Sequence, residues 1–252
     1  KYSFISKLEK TNFRIESLGK PNLKYLSEPF VHKVFENDRF IKDIVLESID
    51  KNFVSINLVP NHLIRAVLYG EDPNFYKHKG IDEIYVGLAI IANYTNRKFT
   101  RGASTITMQL VRNLFLTKEK SLYRKVEEII LAWHLEEIYK ISKDRQLEIY
   151  LNIIEFAPGL YGIANASQFY FDKRISELTV LESLVLTYII PRPKYFLEAV
   201  ELKSTKLQRN LKKHVSFYSN IMFKKGVISE LELKNLGNEI RFSQNINSSI
   251  FL

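Results

Sequence analysis

The chain has 252 residues, 46% of them hydrophobic, with only nine glycines and seven prolines, which supports one sizeable core and a helix-rich domain rather than a many-turned β-sandwich. Cysteine is absent, which excludes disulfides, a thiol nucleophile and a thiolate metal site. The 37 basic residues against 28 acidic ones, a formal charge of +9, call for an acidic partner: nucleic acid, an anionic membrane face or a phosphorylated substrate.

No stretch is long and apolar enough to read as a membrane-spanning helix, and no signal peptide is visible. The chain begins at Lys1 without an initiator Met, so we expect a targeting segment to have been removed. Residues 1–58 read as a mixed N-terminal extension. Within it Val54, Ile56 and Leu58 alternate with Ser55 and Asn57, which predicts a short strand. Helical spacing begins after Pro60: Asn61 can cap a helix with Leu63, Ile64, Val67 and Leu68 on one face, and Gly70 can end it. The turn GEDPNFYKHKG (70–80) follows, then a very apolar helix candidate, Ile81–Tyr94, and a basic loop, NRKFTRGA (96–103).

Ser104 can cap a helix reaching about Phe115. Helices are expected over about 122–140 and over 143–153, the second capped by Ser142. The segment EFAPGLYG (155–162) interrupts the pattern, which resumes over 163–170 and 176–190 until PRP (191–193) stops it. A basic helix is expected over about 200–225, and the tail 237–252 reads as loosely ordered. The domain reading is therefore an extension (1–58), a catalytic domain (59–200) and a C-terminal helical extension (201–252).

Three stretches could carry chemistry. On the helix YRKVEEIILAWHLEEIY, Val126, Ile129, Ile130 and Trp133 form one apolar face, while Arg124, Glu128, Leu131 and Leu135 share the other. Glu127 falls to one side as a surface carboxylate. By spacing alone Glu128 reads first as an i,i+4 ion pair with Arg124, worth a few tenths of a kcal/mol. In RGASTITMQLVRN (101–113), free N–H groups at a helix start suit an anion, with Arg101 and Arg112 adding positive charge. The glycine spacing is neither the Walker loop nor the dinucleotide fingerprint, and taken by itself the stretch reads better as a capped helix with scattered arginines. In the turn, Asp72 can assist catalysis or cap the bend at Pro73, and His78 reads best as a structural histidine, because no two of the five histidines have metal-site spacing. The basic helix near 200–225 suits a solvated face or an anionic membrane. Nucleic acid is not expected as a partner, since no reader motif or interleaved aromatics appear.

Together these stretches resemble glycosyltransferase family 51, the peptidoglycan glycosyltransferases. Glu71–Gly80 fits the family's E-D-x-x-F-x-x-H-x-G at every fixed position. Gly102–Asn113 follows G-x-S-T-I-T-Q-Q-L-x-K-N with two changes, Met108 for the first Gln of the pair and Arg112 for Lys. Arg124, Lys125 and Glu128 match R-K-x-x-E, and Lys120 stands where an Arg is common. A fourth motif is matched over 147–171 and a fifth-like region over 177–193.

The resemblance implies a mainly α, lysozyme-like helical fold with a large cleft, a short β element near the N-terminus, and a small membrane-facing lobe containing Ile81–Tyr94. It implies polymerisation of lipid II into β-1,4-linked glycan, with inversion at the donor sugar and release of lipid pyrophosphate. Glu71 matches the general base and Glu128 the second functional carboxylate. Arg112, Arg124 and Lys125 match positions near the pyrophosphate. Asp72, Phe75, His78, Gly102, Ser104, Thr105, Gln109 and Asn113 match further substrate-binding positions. The family leaves room for a divalent cation, Mg²⁺ or Mn²⁺, with no organic cofactor.

The expected partners are lipid II, the nascent glycan strand, the membrane surface and other cell-wall synthesis proteins, at the outer face of the bacterial cytoplasmic membrane. The S-x-x-K match at Ser17–Lys20 is discounted, because no K-T-G follows. A monofunctional enzyme, or one domain of a longer protein, is then expected, with the family's N-terminal membrane helix trimmed away. The alternatives are a lysozyme-like glycan-cleaving enzyme, which two carboxylates would also suit, and a non-catalytic lipid II-binding relative. A hydrolase has no need of three cations around a pyrophosphate, and a binder has no need of both glutamates.

Overall fold

The computed structural model describes residues 15–17, 20–21, 23–36, 39–46, 52–83, 104–116, 122–244, 246 and 248–252. These residues are mainly helical, with short antiparallel strand pairs. The chain divides into two compact units, one of Lys1–Lys51 with Asn74–Tyr150, the other of Asn52–Pro73 with Leu151–Leu252. The expected apolar helix after Ile81 lies, from residue 84 onward, outside the described residues.

The first unit begins with strands β1 (Ile15–Ser17) and β2 (Lys20–Pro21), followed by a hairpin of β3 (Phe30–Glu36) and β4 (Arg39–Leu46), paired from Phe30↔Leu46 to Glu36↔Arg39. Its helices are α2 (Ile106–Phe115), α3 (Leu122–Trp133) and α4 (Lys143–Ile153), the last of which carries the chain into the second unit. Arg145 on α4 fastens the residues before the hairpin, its Nε donating to the Leu26 carbonyl at 2.9 Å and its Nη2 to that of Glu28 at 2.6 Å.

Helix α3 offered two partly apolar faces, and periodicity could not choose between them. The structure buries Leu131, Ala132 and Leu135 completely and leaves Val126, Ile130 and Trp133 about half exposed. Glu127 is buried too, contrary to its reading as a surface carboxylate. Beyond Trp133 the expected α-helix continues as a π turn, His134–Ile138.

In the second unit, α1 (Asn61–Glu71) packs against α6 (Val180–Ile189), and both pack against α8 (Thr205–Lys224). The remaining elements are β5 (Glu155–Ala157), β6 (Leu160–Tyr161), α5 (Ile163–Phe171), α7 (Phe196–Glu201), α9 (Glu230–Lys234), β7 (Glu239–Arg241) and β8 (Ser249–Phe251). Helix α6 is buried on nearly every side, so it needs no amphipathic pattern. Thr179 and Glu182 close a capping box at its start.

Four further sequence expectations are corrected. Val54–Leu58 is not a strand: Ile56–Leu58 forms a 3₁₀ turn, and the Asn152 side chain holds both backbone groups of Val54, at 2.9 and 2.8 Å. A side-chain amide thus replaces the partner strand that alternation alone presupposes. Pro60, rather than Asn61, precedes the first helical residue, and Thr105, rather than Ser104, caps α2 by accepting from the Met108 N–H. The tail is not loose. Strands β7 and β8 pair, Ile240 is buried, and Ser243 donates from N and Oγ to the carbonyls of Tyr170 (2.8 Å) and Phe169 (2.6 Å). Phe242 stacks on Phe171 at 6.0 Å, so one aromatic ring from the tail completes an aromatic cluster.

Candidate functional site

Glu71 is the last residue of α1, and it is partly buried. The helix behind it is fixed at both ends. His62, in its first turn, makes a 3.0 Å hydrogen bond through Nε2 with the Leu178 carbonyl. Gly70, beside Glu71, lies against Thr187 of α6, close enough that an added Cβ would be in contact at 3.9 Å. Asp72 caps the helix with its backbone: its N–H donates to the Leu68 carbonyl at 2.8 Å, and its side chain is buried. The two adjacent carboxylates therefore differ, Asp72 sealed at the turn and Glu71 partly open.

The remaining candidate side chains belong to the first unit. Phe75 is fully buried, edge-on to Tyr76 and to the half-buried His78. Gly80, which ends the same motif, has φ +84°, and a Cβ there would stand 2.7 Å from the Ala132 carbonyl oxygen on α3. Only glycine fits such an approach of one backbone to another. The Gly80 carbonyl then accepts from Thr105 Oγ1 at 2.6 Å, tying the first motif to the start of α2.

At the other end of this contact Ser104, Lys125, Glu128 and Arg124 form one chain. Lys125 Nζ is 2.8 Å from both Ser104 Oγ and Glu128 Oε2. Arg124 Nη1 lies 3.4 Å from Glu128 Oε1. Glu128 is 1% exposed, whereas Lys125 is 39% exposed. Glu128 does pair with Arg124 at i,i+4, as its spacing suggests, but not as a weak pair. It is a buried carboxylate held by two cations, and the group keeps a net positive charge. A positive charge anchored this way, with Lys125 reaching solvent, can meet an anion without rearranging.

Gln109 accepts from the Tyr150 hydroxyl at 3.2 Å. Arg112 sits in the last turn of α2, partly buried, and makes no ion pair among the described residues. Asn113 is exposed, and Gly102 lies outside the described residues. Sequence reasoning missed Thr107, Glu136, Lys143 and Gln146, whose buried polar contacts lie behind this group. Thr107 alone carried a signal, a polar residue between the apolar Ile106 and Met108 on a helix.

The sequence profile described as Transglycosylase matches residues 37–215, and the chain belongs to that family. It is 36% identical over 210 residues to a penicillin-binding protein 1A of Rickettsia prowazekii (strain Madrid E), covering 82% of this chain and 25% of the relative. It is 40% identical over 149 residues to a biosynthetic peptidoglycan transglycosylase of Paraburkholderia phytofirmans, covering 59% of this chain and 61% of the relative. It is 44% identical over 143 residues to penicillin-binding protein 1F of Bacillus subtilis, covering 57% and 20%. The chain thus spans a quarter of the first of these relatives and about three-fifths of the second.

Proposed function

We propose that the chain is a peptidoglycan glycosyltransferase that polymerises lipid II into β-1,4-linked glycan at the outer face of the cytoplasmic membrane. The observation that carries this reading is the buried Glu128 with its two cations. Glycosyl transfer from a lipid pyrophosphate builds negative charge on the leaving group, and Lys125, Arg124 and Arg112 offer the charge that stabilises it. A hydrolase acting on a neutral leaving sugar gains nothing from them.

Glu71 is the proposed base. It takes the proton of the acceptor 4-hydroxyl as that oxygen attacks the anomeric carbon, and the pyrophosphate leaves from the opposite face, so the configuration inverts. Glu128 holds the cations rather than moving a proton, because both of its oxygens already face positive groups. Ser104, Thr105 and Gln109 line the same stretch and are proposed to position the donor, with the nascent strand, the membrane surface and other cell-wall synthesis proteins as partners. Among the described residues no group of three or more His, Cys, Asp or Glu side chains could hold a metal ion.

Polymerisation of labelled lipid II in detergent tests the reading, with Glu71→Gln beside the unchanged protein. The unchanged chain is expected to make polymer and the variant to lose on the order of 10²–10⁴-fold, the usual cost of removing a general base. Equal activity would remove Glu71 from the mechanism. Release of short sugars from preformed glycan, without polymer, would favour the hydrolase instead.

A further inference from the structure

The first two motifs are held by a group that the proposed chemistry does not use. Helix α3 passes into a π turn at His134–Ile138, in which the Tyr139 N–H reaches back to His134 at 3.0 Å. Such wide turns are rare and recur where a helix has to aim a side chain. Glu136 sits in this turn. Its Oε1 lies 3.0 Å from Thr107 Oγ1 and 2.5 Å from Lys143 Nζ. Thr107 also lies 2.8 Å from Gln146 Oε1, and Gln146 is fixed by its own Nε2 donating to the Ile141 carbonyl at 2.8 Å. One hydroxyl proton thus faces two acceptors and is shared between them. Thr107 and Gln146 are completely buried.

The same carboxylate touches the first motif by two routes. Its Cγ would be 3.3 Å from a Cβ at Gly80, so the side chain packs on that glycine. Its partner Lys143 places Nζ 4.5 Å above the buried Phe75 ring. Thr107 lies on α2 between Thr105, which holds the Gly80 carbonyl, and Gln109.

We propose that Glu136 is a positioning residue. It sets the α2 start, with Ser104, Thr105 and Gln109, against the Phe75–Gly80 segment, and so keeps Ser104 in reach of Lys125 without touching substrate. This rests on the glycosyltransfer reading for its kinetic consequence alone.

The test uses Glu136→Ala, which removes both contacts, Glu136→Gln, which keeps a partner for Thr107 but loses the ion pair, and Thr107→Val against Thr107→Ser. In lipid II polymerisation, Glu136→Ala and Thr107→Val are expected to lower kcat on the order of 10²-fold, as an ångström of misplacement does, with KM little changed. Thr107→Ser restores the rate, and the Glu136→Ala, Thr107→Val double variant loses less than the sum of the two single losses, because both remove the shared Glu136–Thr107 contact. Hydrogen exchange supplies a readout independent of turnover: amides of residues 106–110 lose protection in Glu136→Ala, while those of α6 keep theirs. A folded Glu136→Ala that polymerises at the full rate, additive losses in the double variant, or unchanged exchange over 106–110 would each overturn the proposal. A silent unchanged protein would instead count against the glycosyltransfer reading, with the exchange result still deciding this one.

Discussion

At the scale of single residues, burial decides what a charge is worth. Glu128 and Glu230 both pair with a lysine on their own helix, at 2.8 and 2.6 Å. Glu230 and Lys234 are 66% and 70% exposed, so water screens the pair and Glu230→Ala is expected to change stability by less than about 1 kcal/mol. Glu128 is 1% exposed and Arg124 17%, so removing the carboxylate strands a largely desolvated guanidinium. Breaking a buried pair costs about 3–5 kcal/mol, and the partial exposure of Lys125 brings the expectation for Glu128→Ala to about 2–3 kcal/mol. Urea unfolding of the two variants measures the contrast, and equal effects would deny Glu128 its buried role. The spacing of Arg124, Lys125 and Glu128 was legible in the sequence. Their burial was not, since the other side of α3, with Val126, Ile129, Ile130 and Trp133, is the more apolar of the two.

At the scale of elements, the helix that carries Glu71 depends on its neighbours α6 and α8. His214 on α8 lies 3.1 Å from Thr187 Oγ1 of α6, with the Tyr188 and Tyr218 rings at 5.2 and 4.6 Å. Burial pushes its pKa down to about 4, with the nearby Arg192 charge acting the same way and the Leu184 backbone opposing. An unfolded histidine binds its proton near pH 6.5. Between those values the unfolded chain holds more protons than the folded one, so stability is complete above pH 6.5 and is lost as the pH falls toward 4. The loss is on the order of 3 kcal/mol. His62, also pushed below its ordinary value by burial, acts in the same direction. Melting temperatures at pH 7 and pH 5 check this: His214→Gln should show a smaller drop than the unchanged chain, and an identical drop would exclude His214 as a cause. Most of these helices were legible from periodicity and caps, including α4 with Ser142 before it. Helix α6 was legible over 176–190 up to PRP and begins at Val180, whereas the π turn was not legible at all, because no residue type marks it.

At the scale of the whole molecule, the formal charge of +9 acts over distances that single contacts do not. Adsorption to vesicles containing phosphatidylglycerol is expected at low ionic strength and should fall as salt shortens the screening length from about 10 Å at 0.1 M to about 3 Å at 1 M. Cosedimentation against phosphatidylcholine vesicles measures it, and equal binding to both lipids would put the contact on apolar surface instead. No helix among the described residues is long and apolar enough to cross a membrane.

The sequence by itself determined the family, the order of the motifs and the residue types of the candidate site, because chemistry at a site demands particular groups at particular spacings. It also determined most helices, because caps and apolar periodicity are local. Tertiary structure alone decided which face of α3 is buried, that Glu128 is sealed between two cations, and that Glu136 reaches Thr107. It also decided that Asn152 stands in for a strand at Val54 and that the tail closes an aromatic cluster. Each of these depends on what lies opposite a residue in space, and a partner distant along the chain leaves no periodic mark on the residues it meets.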